Sequence, residues 1–173
     1  MPYRMMLPAA ALLLLIGIPA QSQQSDSSAA NERISARIVA NELRAMNYSA
    51  RIDQDESGDP RVNTNVDGFD WQVYFYDCGT GTLEDRGCVS YQFYSGYEVA
   101  AKFPLATINK WNTEKRYAKA YTYVQRDRSN SARIEIDVLV EGTGSDPAQS
   151  FRAYFVKMKN SAAEFRQAIG FHK

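Results

Sequence analysis

Few residues of this chain have the type and spacing for covalent or proton-transfer chemistry. The 173 residues include a single histidine, one from the C-terminus. That disfavours a histidine-built metal centre and leaves a Ser-His-Asp or Cys-His unit without a well-placed base. The two cysteines, Cys78 and Cys88, are too far apart for the C-x-x-C form that lowers a thiol pKa, which makes a redox-active pair the lesser reading beside a structural bridge. Glu135 and Asp137 could act as acid and base in a carboxylate-dependent hydrolase, yet their alternation with apolar neighbours more simply describes a wet strand face. Residues 53–59, Asp-Gln-Asp-Glu-Ser-Gly-Asp, open like a calcium loop. Thr64 stands where the bidentate Glu belongs and no helices flank the segment, so a solvated turn is expected. No catalytic residue, metal or cofactor is expected.

Composition narrows the class further. Twenty Lys+Arg balance twenty Asp+Glu, and the pI is about 6.6. Such a chain has no general field to draw it to nucleic acid or an anionic membrane surface. At the start, Arg4 precedes an apolar run over 5–18, then Pro19 and Ala20-Gln21-Ser22. This is the layout of a signal peptide, residues 1–22, cleaved after Ala20 or Ser22. The run is shorter than the roughly 20 residues of a spanning helix, and an uncleaved anchor is the alternative. Residues 23–30 are a Ser/Gln-rich leader with nothing to bury. A periplasmic or secreted protein without a stable membrane span is expected, with one domain over 31–170.

The elements that would position these groups follow from periodicity. Ile34, Ile38, Val39, Leu43 and Met46 have helical spacing and predict a helix over 31–46. Strands are predicted over 50–54 and 61–66, with a Gly/Pro turn between them and an Asp67-Gly68 hairpin turn after them. Residues 69–78 alternate, with Phe69, Trp71, Val73 and Phe75 on one face and Tyr74, Tyr76 and Cys78 on the other. Residues 88–95 alternate likewise, setting Val89, Tyr91 and Phe93 against Cys88, Ser90, Gln92 and Tyr94. If 78 faces 88 in an antiparallel hairpin, Val73 faces Phe93 and Phe75 faces Tyr91, so the apolar faces coincide. Register and export therefore agree on a Cys78–Cys88 disulfide.

Further on, a helix is predicted over 104–114 with Leu105, Ile108 and Trp111 on one side, then strands over 117–125 and 132–141. In the second strand Ile134, Ile136, Val138 and Val140 oppose Arg133, Glu135, Asp137 and Leu139. A last helix over 147–169 has the stripe Phe151, Tyr154, Phe155, Met158, Ala162, Phe165 and Ile169. The order α-ββββ-α-ββ-α indicates an α+β fold. Charge is unevenly spread: residues 53–86 hold nine acidic and two basic groups, and 102–133 hold eight basic and two acidic. This suggests an intramolecular match or a charged partner, with a plain solvated surface as the simpler reading. Tyr74, Tyr76 and Tyr94 on one hairpin, and Tyr117, Tyr121 and Tyr123 on one face of a later strand, offer rigid area with a hydrogen-bonding tip, as partner recognition requires.

The run 69–76 leading into Cys78, then Cys88-Val89-Ser90-Tyr91-Gln92-Phe93, Ile108-Asn109-Lys110-Trp111-Asn112 and Arg116-Tyr117-Ala118-Lys119-Ala120-Tyr121, resembles the YbjN family of bacterial sensory transduction regulators. The likeness extends from about Ile34 to Phe165, and the two-cysteine form is similar to exported members. It implies a fold like that of type III secretion chaperones, small α+β modules that commonly dimerise and bind other polypeptides, and it brings no established catalytic residue. Within the signature, Asn109, Trp111 and Asn112 are expected to serve structure: Trp111 as a core anchor, the asparagines on backbone groups at element ends. The expected function is non-catalytic binding of a protein or peptide partner in the bacterial envelope. The alternatives are a small-molecule binder or carboxylate-dependent hydrolase, and a structural homodimer joined at the last helix.

Overall fold

A computed structural model describes residues 32–125 and 127–171. The export segment and leader expected over 1–30 lie outside the described residues. Helix α1 (Ala36–Ala45) is followed by strands β1 (Arg51–Gln54), β2 (Pro60–Val66), β3 (Phe69–Cys78) and β4 (Cys88–Val99). Helix α2 (Leu105–Glu114), strands β5 (Lys119–Val124) and β6 (Asn130–Leu139), and helix α3 (Pro147–Ala168) follow. The predicted α+β order holds.

The strands make one antiparallel sheet in the order β1-β2-β3-β4-β6-β5. Its centre is the β3–β4 hairpin, in the register expected from the cysteines: Val73 opposite Phe93, Phe75 opposite Tyr91, and Cys78 opposite Cys88, joined as a disulfide. One face of that register is apolar apart from Ser95, which lies buried opposite Trp71, so a one-residue slip would turn Trp71, Val73, Phe75, Tyr91 and Phe93 out of the core. All five are buried. The second hairpin does not stand apart. Strand β6 pairs with β4 from Ser90–Leu139 to Val99–Asn130, so β4 runs four residues beyond the expected end, past a glycine, Gly96, that pairs as ordinary strand.

All three described helices lie on the apolar face. In α3, Phe151, Phe155, Met158, Ala162 and Phe165 are buried, with Phe93 and Phe151 stacked at 5.3 Å and Trp111 edge-on to Phe165 at 5.0 Å. These five residues of the stripe thus serve as a lid over the sheet. Of the α2 stripe, Ile108 and Trp111 are buried, but Leu105 points to solvent.

Helix α1 begins later than predicted. Ile34 is buried, but as extended chain: its N–H donates to Cys88 O (3.1 Å) and its carbonyl accepts from Cys88 N (2.7 Å). Ser35 then caps the helix, accepting the Ile38 N–H. Buried Ile34 mimicked helical periodicity, and Glu32 sits outside the helix, accepting the Gly142 N–H. The loop between β3 and β4 folds back over this start, where Glu84 O accepts the Arg37 N–H and Asp85 binds the Arg37 guanidinium. Around Asp55 the calcium-like segment forms a hairpin turn, with Asp55 Oδ1 accepting the N–H groups of Ser57 and Asp59. Asp53 pairs with Arg61, Asp85 with Arg37, and Lys119 with Glu135 and Asp137.

Candidate functional site: the uncovered face of the sheet

Strand alternation fixes what lies opposite the helices. Tyr74 and Tyr76 from β3, Gln92 and Tyr94 from β4, Arg133, Glu135 and Asp137 from β6, and Lys119, Tyr121 and Tyr123 from β5 share the second face, as their register requires. No described helix lies over them. Tyr117 leaves the group: β5 starts at Lys119, and the Tyr117 ring sits beneath Lys157 of α3 at 4.4 Å. The expected tyrosine cluster is thus five residues gathered on one sheet face rather than six on two.

Two networks cross this face. The first is a diagonal ladder of cations and rings. Arg61 lies 5.9 Å from the Tyr74 ring, Tyr74 meets Tyr94 edge-on at 5.9 Å, and Arg133 lies 5.3 Å from Tyr94 and 3.7 Å from Tyr123. It spans β2, β3, β4, β6 and β5, and each contact joins cation to ring face or ring edge to ring face, the arrangements the ring quadrupole favours. The second is a hydrogen-bond chain. The Tyr76 hydroxyl donates to Gln92 (3.3 Å) and Gln92 Nε2 donates to Asp137 (2.6 Å). Lys119 then bridges Asp137 (2.6 Å) and Glu135 (3.1 Å), and the Tyr121 hydroxyl donates to Glu135 (3.1 Å). Glu135 is only 8% exposed, and a buried carboxylate is tolerable because both partners reach it.

The electrostatics keep the phenols as donors. Burial pushes Tyr94 up to about 12, against the opposing pull of Arg133. Tyr76 and Tyr121 are raised by burial first and by the nearby carboxylates second. Lys119 is held charged above the ordinary lysine range by its bond to Asp137. Glu135 and Asp137, the pair considered for hydrolysis, thus share one ammonium. Two shallow cavities open on this face and meet at Asp70 and Gln72. One, of about 430 Å³, runs to Arg51 and Asn63; the other, of about 240 Å³, is lined by Gly96 and Arg133.

The signature residues lie elsewhere. Trp111 is a core anchor whose indole N–H donates to Ala118 O (3.0 Å). Asn112 closes the outer edge of β5: its Nδ2 donates to Ala120 O (2.9 Å) and its Oδ1 accepts the Ala120 N–H (2.8 Å). The side-chain amide thus stands in for a neighbouring strand at one residue. Asn109 is exposed on α2, and its carbonyl accepts the Thr113 hydroxyl. The sequence pattern alone did not single out Arg61, Gln92, Lys119 or Arg133 as parts of one face. Alternation orients each of them, but diagonal neighbours follow only from the strand order.

Among the described residues, a six-stranded antiparallel sheet with three helices on one face and a ring-and-charge network on the other defines a small α+β domain. The chain belongs to the YbjN family, whose profile, described as "Putative bacterial sensory transduction regulator", matches residues 35–169. Among solved structures it is similar to one described as "YbjN, a putative transcription regulator from E. coli", at a TM-score of 0.51 and 19% identity, covering 75% of this chain and 84% of that one. At that identity the likeness is one of fold. No curated protein matches the chain. Among the described residues no helix is long and apolar enough to cross a membrane.

Proposed function

We propose that this is an exported, non-catalytic regulatory domain that acts by binding a protein or peptide partner in the bacterial envelope. The binding surface is the uncovered sheet face bearing Tyr74, Tyr76, Tyr94, Tyr121 and Tyr123. One observation carries this reading: the face is preorganised but not apolar, with its phenols and charges already fixed by the ladder and the Gln92–Asp137–Lys119–Glu135 chain. A face ordered before binding loses little side-chain freedom on association. Its tyrosines present amphipathic area of the kind enriched at interfaces. The family description as a sensory transduction regulator agrees with a partner-binding role. Export is supported by the N-terminal pattern of residues 1–22 and by the Cys78–Cys88 disulfide, a bond that persists in oxidising compartments. The transcription role in the E. coli structure's description is not carried over, since twenty basic groups offset by twenty acidic ones supply no field for DNA.

Site-specific photo-crosslinking in the native envelope tests the proposal. A crosslinker at Tyr76 or Tyr123 is expected to trap a discrete polypeptide adduct, and one at Val156 on the outer side of α3 is expected to trap none. Equal adducts from all three positions, or none from the tyrosine positions, would reject the face as the binding surface. Intact mass of the envelope-purified protein checks export: the chain should start near Gln21 or Gln23, with thiols alkylated only after reduction.

A further inference from the structure

We propose that the notch beside Gly96 receives the free C-terminal carboxylate of a peptide, with Arg133 as its anchor. The proposal rests on the uncovered face being a peptide-binding surface and adds where the chain end sits.

Gly96 lies opposite Arg133 in the β4–β6 ladder. Its backbone is ordinary strand, so no turn requires a glycine there. A Cβ at this position would come within 3.2 Å of the Tyr94 hydroxyl and 3.7 Å of Arg133 Cγ. A glycine inside a strand often marks close approach by another group, and here Gly96 lines the cavity of about 240 Å³ together with Arg133. That volume is smaller than the roughly 300–1,000 Å³ of small-molecule pockets and suits the end of a chain.

Arg133 is held for recognition rather than neutralised. Its guanidinium lies along the rings of Tyr123 and Tyr94, and its Nε donates to Ser131 Oγ (3.1 Å). A guanidinium has five N–H donors. Among the described residues no carboxylate pairs with it. The remaining donors form the fork that matches a carboxylate in two parallel bonds. Asp70 and Glu98 also line the notch and repel a bare anion. A peptide end differs, because amide N–H groups follow directly behind its carboxylate. Asp70, Glu98 and the side-chain carbonyls of Gln72 and Gln125 can accept those donors. The combination of one arginine fork with several acceptors selects a chain terminus over a simple anion.

The test is an NMR titration of the ¹⁵N-labelled protein with N-acetyl-dialanine as the free acid, the same compound as its C-terminal amide, and sodium acetate. The free acid is expected to shift the Gly96 amide and the Arg133 Nε–H, and to bind at least tenfold more tightly than the amide or acetate. Arg133→Gln should remove that preference, and Gly96→Ala, which adds a methyl group to the notch lining while leaving the spectrum folded, should weaken it. Equal affinity for acid and amide would overturn the carboxylate site while leaving a peptide-binding face. An equal response to acetate would reduce the notch to a general anion site and overturn the proposal. Absence of any shift at the notch would overturn it too, and the crosslinking experiment would still decide the face independently.

Discussion

Replacing Asn112 isolates the contribution of one side chain to the edge of the sheet. Its amide makes two hydrogen bonds to Ala120, one as donor and one as acceptor, and Ala120 is buried. Each bond contributes about 1 kcal/mol net, so Asn112→Ala should lose about 2 kcal/mol, or about 7 °C in Tm for a domain of this size. Asn112→Asp separates the donor from the acceptor. At neutral pH the carboxylate still accepts the Ala120 N–H but sets its other oxygen against the Ala120 carbonyl, so this variant should be at least as unstable as the alanine one. Protonation restores a donor, which raises the folded-state pKa of the new carboxyl above its unfolded value of about 3.9. Its contribution is then fully present below that value and lost as pH rises through the folded pKa. The stability gap to wild type should narrow as pH falls through about 4. Urea unfolding followed by tryptophan fluorescence at several pH values, with wild type at each, measures this. If Asn112→Ala costs under about 0.5 kcal/mol, below the net worth of one such bond, or if the aspartate gap is flat with pH, the strand-mimicking role is wrong.

Other expectations can be checked with the same protein. Cys78→Ser/Cys88→Ser opens a loop with a sequence separation of 10, and calorimetry should show a loss of about 3 kcal/mol in the chain-entropy model. Because Ile34 bonds Cys88 and the loop bonds Arg37, hydrogen exchange in the double variant should rise first over 34–38. Asp85 is held down at about 2, chiefly by the Arg37 guanidinium. The stability this pair supplies is present above the ordinary carboxylate pKa and lost as pH falls through about 2, so Asp85→Asn should flatten that limb of an acid-unfolding profile. Tyr94, raised to about 12 by burial, should ionise well above the ordinary tyrosine range. Its stabilising contribution is present below pH 10 and lost as pH rises through about 12. Spectrophotometric titration of Tyr94→Phe against wild type should lack that late step.

What the sequence made legible was whatever local periodicity encodes. Alternation in 69–78 and 88–95, with the two cysteines as a register mark, was enough for the central hairpin, because only one pairing buries Phe75, Tyr91 and Phe93 together. The aromatic stripe of α3 was equally plain. Nonlocal choices were not. Nothing in residues 130–139 says that they pair with β4, so the two hairpins could not be joined into one sheet, and the four residues of β4 beyond Ser95 are ordered by that pairing. Ile34 has helical spacing to Ile38 and yet is buried by bonding Cys88. The function-bearing face suffered most. Tyr94, Arg133 and Tyr123 are adjacent only diagonally, and Tyr117 shared their alternation until Lys119 proved to be the first residue of β5.

The attachment of the N-terminal segment has a mechanical consequence. A load applied to the chain at Glu32 reaches the sheet through the paired hydrogen bonds of Ile34 and Cys88, and Cys88 is also the residue crosslinked to β3. Tension therefore enters at a covalent junction between two central strands and is divided between them, instead of peeling an edge strand away. Behind that junction the loop grips α1 through Arg37, so helix and hairpin share the strain. A domain hung from this end would pass the pull to its two central strands, with the disulfide as the rivet.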